Sequence, residues 1–474
     1  MMPLWIASAS AAIVTSTVEI CVAYDTEYED VGSEDFWADQ TVDRWARGVE
    51  LEIRDYTSRR FLFTNQSTGC LTTQVETESG DPIFKVVVRS RALVQGVEYE
   101  VHPHQGTASW ASHVGQFQEE LFLLDAGVST HDLTTSSHEA WQVMGAVSWL
   151  FHRSRFKIWN GVSRMCCFDN AQPDGTCTNS SYWYGVSNAQ TLHYFVRTNG
   201  GPCGGGNATA AVDDRLNAVE IAGDCPRKGL FVHETAHMIV GLRMNGREGE
   251  GPNAPNSGPQ GWNPGAPLDG CSGDYWLANT STNPPLGVDP IDYGQASAKG
   301  RLTKEFGSNA IREGWADFMA MWAWNSRNGT DCHSESWVSS YQDLDLDGTV
   351  ENHPAQEMDC ASIGCWLDDV ESATGNGCDR AGYSGSDDLE LNRSTVWDVG
   401  RMYWYLWQTE GVSTDRLSDL YVHTCPRVWS VADEWKNSTA DHASRPIDRL
   451  YDASAFHPST QAAVDAAIDA YVAH

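Results

Sequence analysis

GLFVHETAHMIVGLR, residues 229–243, decides how the chain is read. Its apolar residues recur at helical spacing and Asn245-Gly246 follows as a stop signal, so the stretch is predicted as a helix. On a helix, residues i and i+4 share one face, which lets His233 and His237 present two imidazoles to a single ion. Glu234 is turned about 100° from His233, to the edge of that face, where it meets a metal-bound water rather than the metal. Three polar residues can also fall together by chance. A third donor separates the two readings, because a catalytic zinc takes three protein ligands and leaves the fourth position to water.

A histidine six residues past His237 is absent, since position 243 is arginine. The next helical pattern, NAIREGWADFMAMWAWN (309–325), offers Glu313 and Asp317 instead, again four apart on one face. Glu313 is the candidate third ligand. Asp317 is the candidate acceptor for the distal N–H of a ligand histidine, which would fix its tautomer and orientation. The alternative is a solvated carboxylate pair on an exposed helix, and Trp315, Phe318, Met319, Met321 and Trp322 argue against exposure.

The 474 residues exceed one ordinary domain, and 41% hydrophobic content with 20 tryptophans marks a globular chain. Thirty-one Lys and Arg against 64 Asp and Glu leave a net charge of −33, which disfavours nucleic acid and anionic membranes as partners. No stretch reaches 18 consecutive apolar residues, so no membrane span is predicted. Thirteen cysteines lie scattered through the sequence without C-x-x-C pairing, the pattern of a disulfide framework in an oxidising, extracytoplasmic compartment.

Residues 1–19 fit either the tail of a signal peptide, with Ala7-Ser8-Ala9 as its cleavage signal, or a strand. Residues 20–105 read as β structure, from VELEIRDY (49–56), RRFLFTN (59–65), CLTTQVE (70–76) and PIFKVVVRS (82–90). They form either a small β-sandwich-like domain or an N-terminal sheet belonging to the main domain. From residue 106 to 474 helices enter: 138–156, 229–243, 309–325, 394–408 and 459–472, with strands at 187–197 and 215–223. Residues 246–300 are rich in Gly, Pro and Asn without a period, and read as an insertion or binding loop.

HETAH followed by EGWADF resembles the gluzincin zinc metallopeptidases, and among them the fungalysin-like peptidases, which carry HEYxH and then EGWxDF. The resemblance implies His233, His237 and Glu313 as zinc ligands, Glu234 as general base and Asp317 behind a ligand histidine. It implies an α+β fold of two lobes, a mixed α/β lobe ending in the HETAH helix and a mostly helical lobe over 301–474. It also implies a peptide or protein substrate. The run from Asn207-Ala208 into RLNAVEIAGD resembles the edge-strand hairpin of that family, which would make Asn207 and Ala208 substrate-binding by β-augmentation. One departure stands out. Where the fungalysin-like pattern places His-x-x-Gly-x-x-Trp, this chain has VWDVGRMYWYLW (396–407), with Trp397 in the histidine's place. Another oxyanion donor, among His353, His423, Tyr275, Tyr293 and Arg401, would then be needed, or catalysis would be weakened by about 10²–10³.

DLDLDGTVE (343–351) sets Asp343, Asp345 and Asp347 at alternate positions before Gly348, the first half of a calcium loop. Pro354 stands where an EF-hand would have its bidentate glutamate, so the alternative is an acidic turn. The sequence thus predicts a secreted zinc endopeptidase, with Ca²⁺ as a second candidate ion. Its rival is a weak or inactive zinc-binding pseudo-peptidase that serves in binding or adhesion.

Overall fold

The computed structural model describes residues 12–25, 45–94, 96–104, 112–153, 164–166, 183–185, 191–197, 210–213, 218–222, 228–243, 304–325, 327, 332–333, 357–358, 393–424, 454 and 460–466. Asn207, Ala208, the 246–300 stretch, Asp343, Asp345, Asp347, Tyr275, Tyr293 and His353 lie outside them.

Eight strands open the fold: β1 (Ile13–Ala23), β2 (Val49–Arg54), β3 (Arg59–Phe63), β4 (Cys70–Glu78), β5 (Ile83–Val94), β6 (Val97–His104), β7 (Glu119–Asp125) and β8 (Thr130–Thr134). Helix α1 (Glu139–Arg153) follows, then β9 (Arg164–Cys166), β10 (Trp183–Gly185), β11 (Leu192–Arg197), β12 (Ala210–Asp213), β13 (Ala218–Ala222) and α2 (Lys228–Arg243). Beyond them come β14 (Lys304–Phe306), α3 (Gly307–Trp324), β15 (Cys332–His333), β16 (Glu357–Met358), β17 (Arg393–Thr395), α4 (Val396–Gln408) and α5 (Thr414–Thr424). The fold is α+β with mixed sheets.

Among the described residues the largest sheet has eight strands in the order β12-β13-β11-β6-β5-β2-β3, with β7 also paired to β5. β11 runs parallel to both β6 and β13, and the outermost strand β12 closes antiparallel on β13. β5 lends one edge to two partners in turn: residues 83–89 pair with β7, and residues 91–94 pair with β6. The sheet therefore crosses residue 105 without a break in its hydrogen bonding. A smaller sheet, β4-β1-β8, stands beside it, and the directly opposed Cys21 and Cys70 of β1 and β4 are joined by a disulfide.

Strand alternation gives the large sheet two different faces. Leu51, Ile53, Val86, Val88, Ala92, Val94, Tyr99, Val101, Leu192 and Tyr194 point one way and are buried. Against that face lies α1, whose Trp141 stacks on Tyr24 with ring centroids 6.2 Å apart, and whose Phe151 meets Tyr99 at 6.0 Å. The other face is a lattice of charge: Glu50 and Glu52 of β2, Arg89 and Arg91 of β5, Glu98 and Glu100 of β6, Glu119 of β7. Glu52 is wholly covered and is held by Arg54, Arg59 and Arg89. Burial alone would raise its pKa, but the hydrogen bonds from Arg54 and Arg59 outweigh burial and bring it down to about 2. Gly48 turns the chain into β2 with φ of 65°, and a Cβ there would stand 2.1 Å from the Leu93 carbonyl oxygen, so only glycine fits.

The helices pack as a second layer. α2 lies against α1 and α3, and α3 against α4. Trp315 of α3 meets Tyr403 of α4 edge-on at 5.4 Å and Tyr421 of α5 at 5.7 Å. The described helices contain none long and apolar enough to cross a membrane.

Candidate metal centre

α2 is apolar around most of its circumference, which is why it sits inside the molecule: Phe231, Val232, Ala236, Met238 and Ile239 are all buried. Thr235 anchors it, donating to the Phe231 carbonyl at 2.6 Å while accepting a hydrogen bond from Tyr194 Oη of β11 at 2.9 Å. The polar side chains that remain, His233, Glu234 and His237, are 1%, 9% and 6% exposed. Ionisable groups are rarely buried to this degree without a partner or an ion.

Their partners come from α3. His233 Nδ1 lies 2.9 Å from Asp317 Oδ1, and Asp317 is itself buried. On the other side of the ring, His233 Nε2 is 3.2 Å from His237 Nε2 and 3.3 Å from Glu313 Oε2. His237 Nε2 and Glu313 Oε2 are also 3.3 Å apart. The second oxygen of Glu313 accepts a hydrogen bond from Arg312 Nη2 at 2.9 Å, which fixes the carboxylate. The three inward atoms form a nearly equilateral triangle. Three corners of a tetrahedron about zinc, with bonds of about 2.0–2.1 Å, stand about 3.3 Å apart.

Protonation makes the same point. An Asp317 carboxylate accepts from Nδ1–H, which leaves a neutral His233 with a lone pair on Nε2. That lone pair faces the Glu313 carboxylate, an arrangement that a positive charge between them relieves. A proton is one such charge. Burial would lower the His233 pKa, but the hydrogen bonds to Asp317 and Glu313 outweigh it and raise the group above an ordinary imidazole. A divalent ion would replace that proton and use all three lone pairs at once. Two imidazoles and one carboxylate suit zinc.

Gly400 of α4 is part of the support. A Cβ there would come within 3.3 Å of the Gly314 carbonyl oxygen and 3.9 Å of the Asp317 Cβ, so paired glycines let α4 lie directly behind the Glu313–Asp317 turn of α3. Trp397 lies in the first turn of α4, Arg401 one turn further on, and His423 in α5.

Two further groups converge among the described residues. Glu19, Cys21 and Cys70 form one, but its sulfurs are already bonded to each other. Glu100, His102 and His193 form the other, on β6 and β11. The strand sequences VEYEVHPH and LHYFVR carry these three residues, and Glu-x-His on a strand puts two donors on one face. That signal is too common to be read alone, and the third donor depends on a parallel pairing that no local pattern records.

Compared with known protein families, curated proteins and solved structures, the chain matches none.

Proposed function

We propose that the chain is a secreted zinc-dependent endopeptidase of the gluzincin type, with a two-lobed catalytic unit. The observation that carries the reading is the triangle of His233 Nε2, His237 Nε2 and Glu313 Oε2, with edges of 3.2–3.3 Å, built on HETAH and EGWADF. Bound there, zinc would polarise the scissile carbonyl and bring the pKa of a coordinated water to about 7. Glu234, one residue from His233 and 9% exposed, takes the proton of the attacking water and returns it to the leaving amine. A structural zinc needs the ligands but not this carboxylate, so Glu234 favours turnover over a purely structural site. Asp317 holds His233 in the tautomer that keeps Nε2 unprotonated and aimed at the ion.

β12 supports the substrate side of the proposal. Among the described residues it is the outermost strand of the large sheet, and the sequence just before it contains Asn207 and Ala208. An extended peptide added along such an edge is held by its backbone, which suits an enzyme that cuts many sequences. The disulfide Cys21–Cys70 is consistent with an extracytoplasmic setting.

The test is hydrolysis of an unfolded protein substrate by zinc-loaded chain, beside Glu234→Gln. The expected result is hydrolysis by the wild type, loss of at least about 10²-fold in the variant, and zinc retained in both. Zinc in both with hydrolysis in neither replaces the peptidase with a binding protein and puts Trp397 at the centre of the explanation. No zinc in either overturns the metal site.

A further inference from the structure

Glu100 and His102 are two apart on β6, so both project from the charged face of the large sheet. β11 lies alongside in parallel, with His193 opposite Glu100 and Phe195 opposite His102. Three atoms meet there. His102 Nε2 is 3.1 Å from His193 Nδ1 and 3.4 Å from Glu100 Oε2, and His193 Nδ1 is 3.4 Å from the same oxygen. The triangle has the size of the one on α2 and α3, and the same donors. It also has the same backing: Glu100 Oε1 is engaged by Arg91 Nε at 3.3 Å, as Glu313 Oε1 is by Arg312.

Hydrogen bonds do not close this triangle. With Glu100 ionised and both imidazoles neutral, two N–H groups turned toward the carboxylate would confront each other at 3.1 Å. If one proton is moved to the far side of its ring, a lone pair is left facing the carboxylate at 3.4 Å. A single cation at the centre accepts from all three. The rings are held for it: His102 is wholly buried, stacked on Phe195 at 5.0 Å and tilted against Phe117 at 5.6 Å. His193 keeps a fifth of its side chain exposed, which leaves a side for an ion and a water to reach the site.

We propose that Glu100 Oε2, His102 Nε2 and His193 Nδ1 form a second zinc-type site, separate from the α2–α3 centre. No carboxylate corresponding to Glu234 stands one residue after either histidine, where Pro103 and Tyr194 are found. The site's work is structural. It staples β6 to β11, the seam that joins the N-terminal strands of the sheet to β11, β13 and β12. His102 Nδ1 is buried and has no hydrogen-bond partner among the described residues, whereas His233 Nδ1 has Asp317. The β6–β11 site therefore holds its ion less tightly than the α2–α3 site.

Counting zinc by mass spectrometry on desalted, zinc-loaded chain tests this. The expectation is about two ions per chain in the wild type and about one in each of His193→Ala and His237→Ala, with the ion lost from His193→Ala being the first removed by a graded chelator. Glu100→Gln, which keeps the size and hydrogen-bonding shape of the side chain, is expected to weaken that same ion by about tenfold or more, and guards against His193→Ala failing to fold. One ion in the wild type that survives His193→Ala and Glu100→Gln but not His237→Ala overturns the second site and leaves the first standing. Two ions that both survive His193→Ala and Glu100→Gln place the second elsewhere and also overturn it.

Discussion

Asp317 never reaches the centre of the α2–α3 triangle, yet it decides which nitrogen of His233 does. Asp317→Asn can offer an N–H to Nδ1, moving the ring proton to the nitrogen that must stay bare. Zinc affinity is then expected to fall by about 10–100-fold, read by competition with a chromophoric chelator, and an unchanged affinity would show that Asp317 does not orient the ring. Acid acts through the same residue. Because its neighbours raise the His233 pKa, the metal-free ring keeps its proton to a higher pH than a free imidazole does. Zinc must displace that proton, so zinc affinity begins to fall at a higher pH than an ordinary histidine would set. These donors were legible in the sequence because the helical repeat alone puts His233 beside His237 and Glu313 beside Asp317. Glu100, His102 and His193 were not, since their meeting depends on strand register between segments some ninety residues apart.

At the level of elements, the α3–α4 contact is set by backbone rather than by side chains. Gly400→Ala places a methyl 3.3 Å from the Gly314 carbonyl oxygen, so the helices must part by a few tenths of an ångström. The expected cost is about 1–3 kcal/mol by chemical denaturation, together with weaker zinc binding as Glu313 and Asp317 shift with α3. Lost stability with unchanged zinc affinity would mean that α3 holds its place without α4. The helices were readable from their apolar period: α1, α2, α3 and α4 fall within a few residues of the expected spans. β5 was read short. Arg89-Ser90-Arg91 resembles a polar end to the strand, but the strand continues to Val94 because both arginines find glutamates on neighbouring strands. A period-2 pattern marks which face is polar, and it cannot foresee that the polar face is itself paired and covered.

Across the whole molecule, that charged face makes stability depend on acid. Glu52 has a folded pKa of about 2 against an ordinary value of 4.5, so its contribution is complete above about 4.5 and is lost as pH falls toward 2. The unfolding midpoint of the wild type should drop through that window, and Glu52→Gln should flatten the drop; equal slopes would show that other carboxylates govern it. The disulfide adds a second constraint. It closes a separation of 49 residues, and Cys21→Ser with Cys70→Ser is expected to cost about 2–4 kcal/mol in denaturant unfolding. The continuity of the sheet bears on how the molecule could be switched on. Three seams join strands on opposite sides of residue 105: β1 with β8, β5 with β7, and β6 with β11. A maturation cut after β6 would sever the chain but release nothing, since the two pieces remain zipped along all three seams. Activation by shedding the N-terminal strands would have to tear a sheet apart, and a nicked molecule would still migrate as one particle until it was denatured.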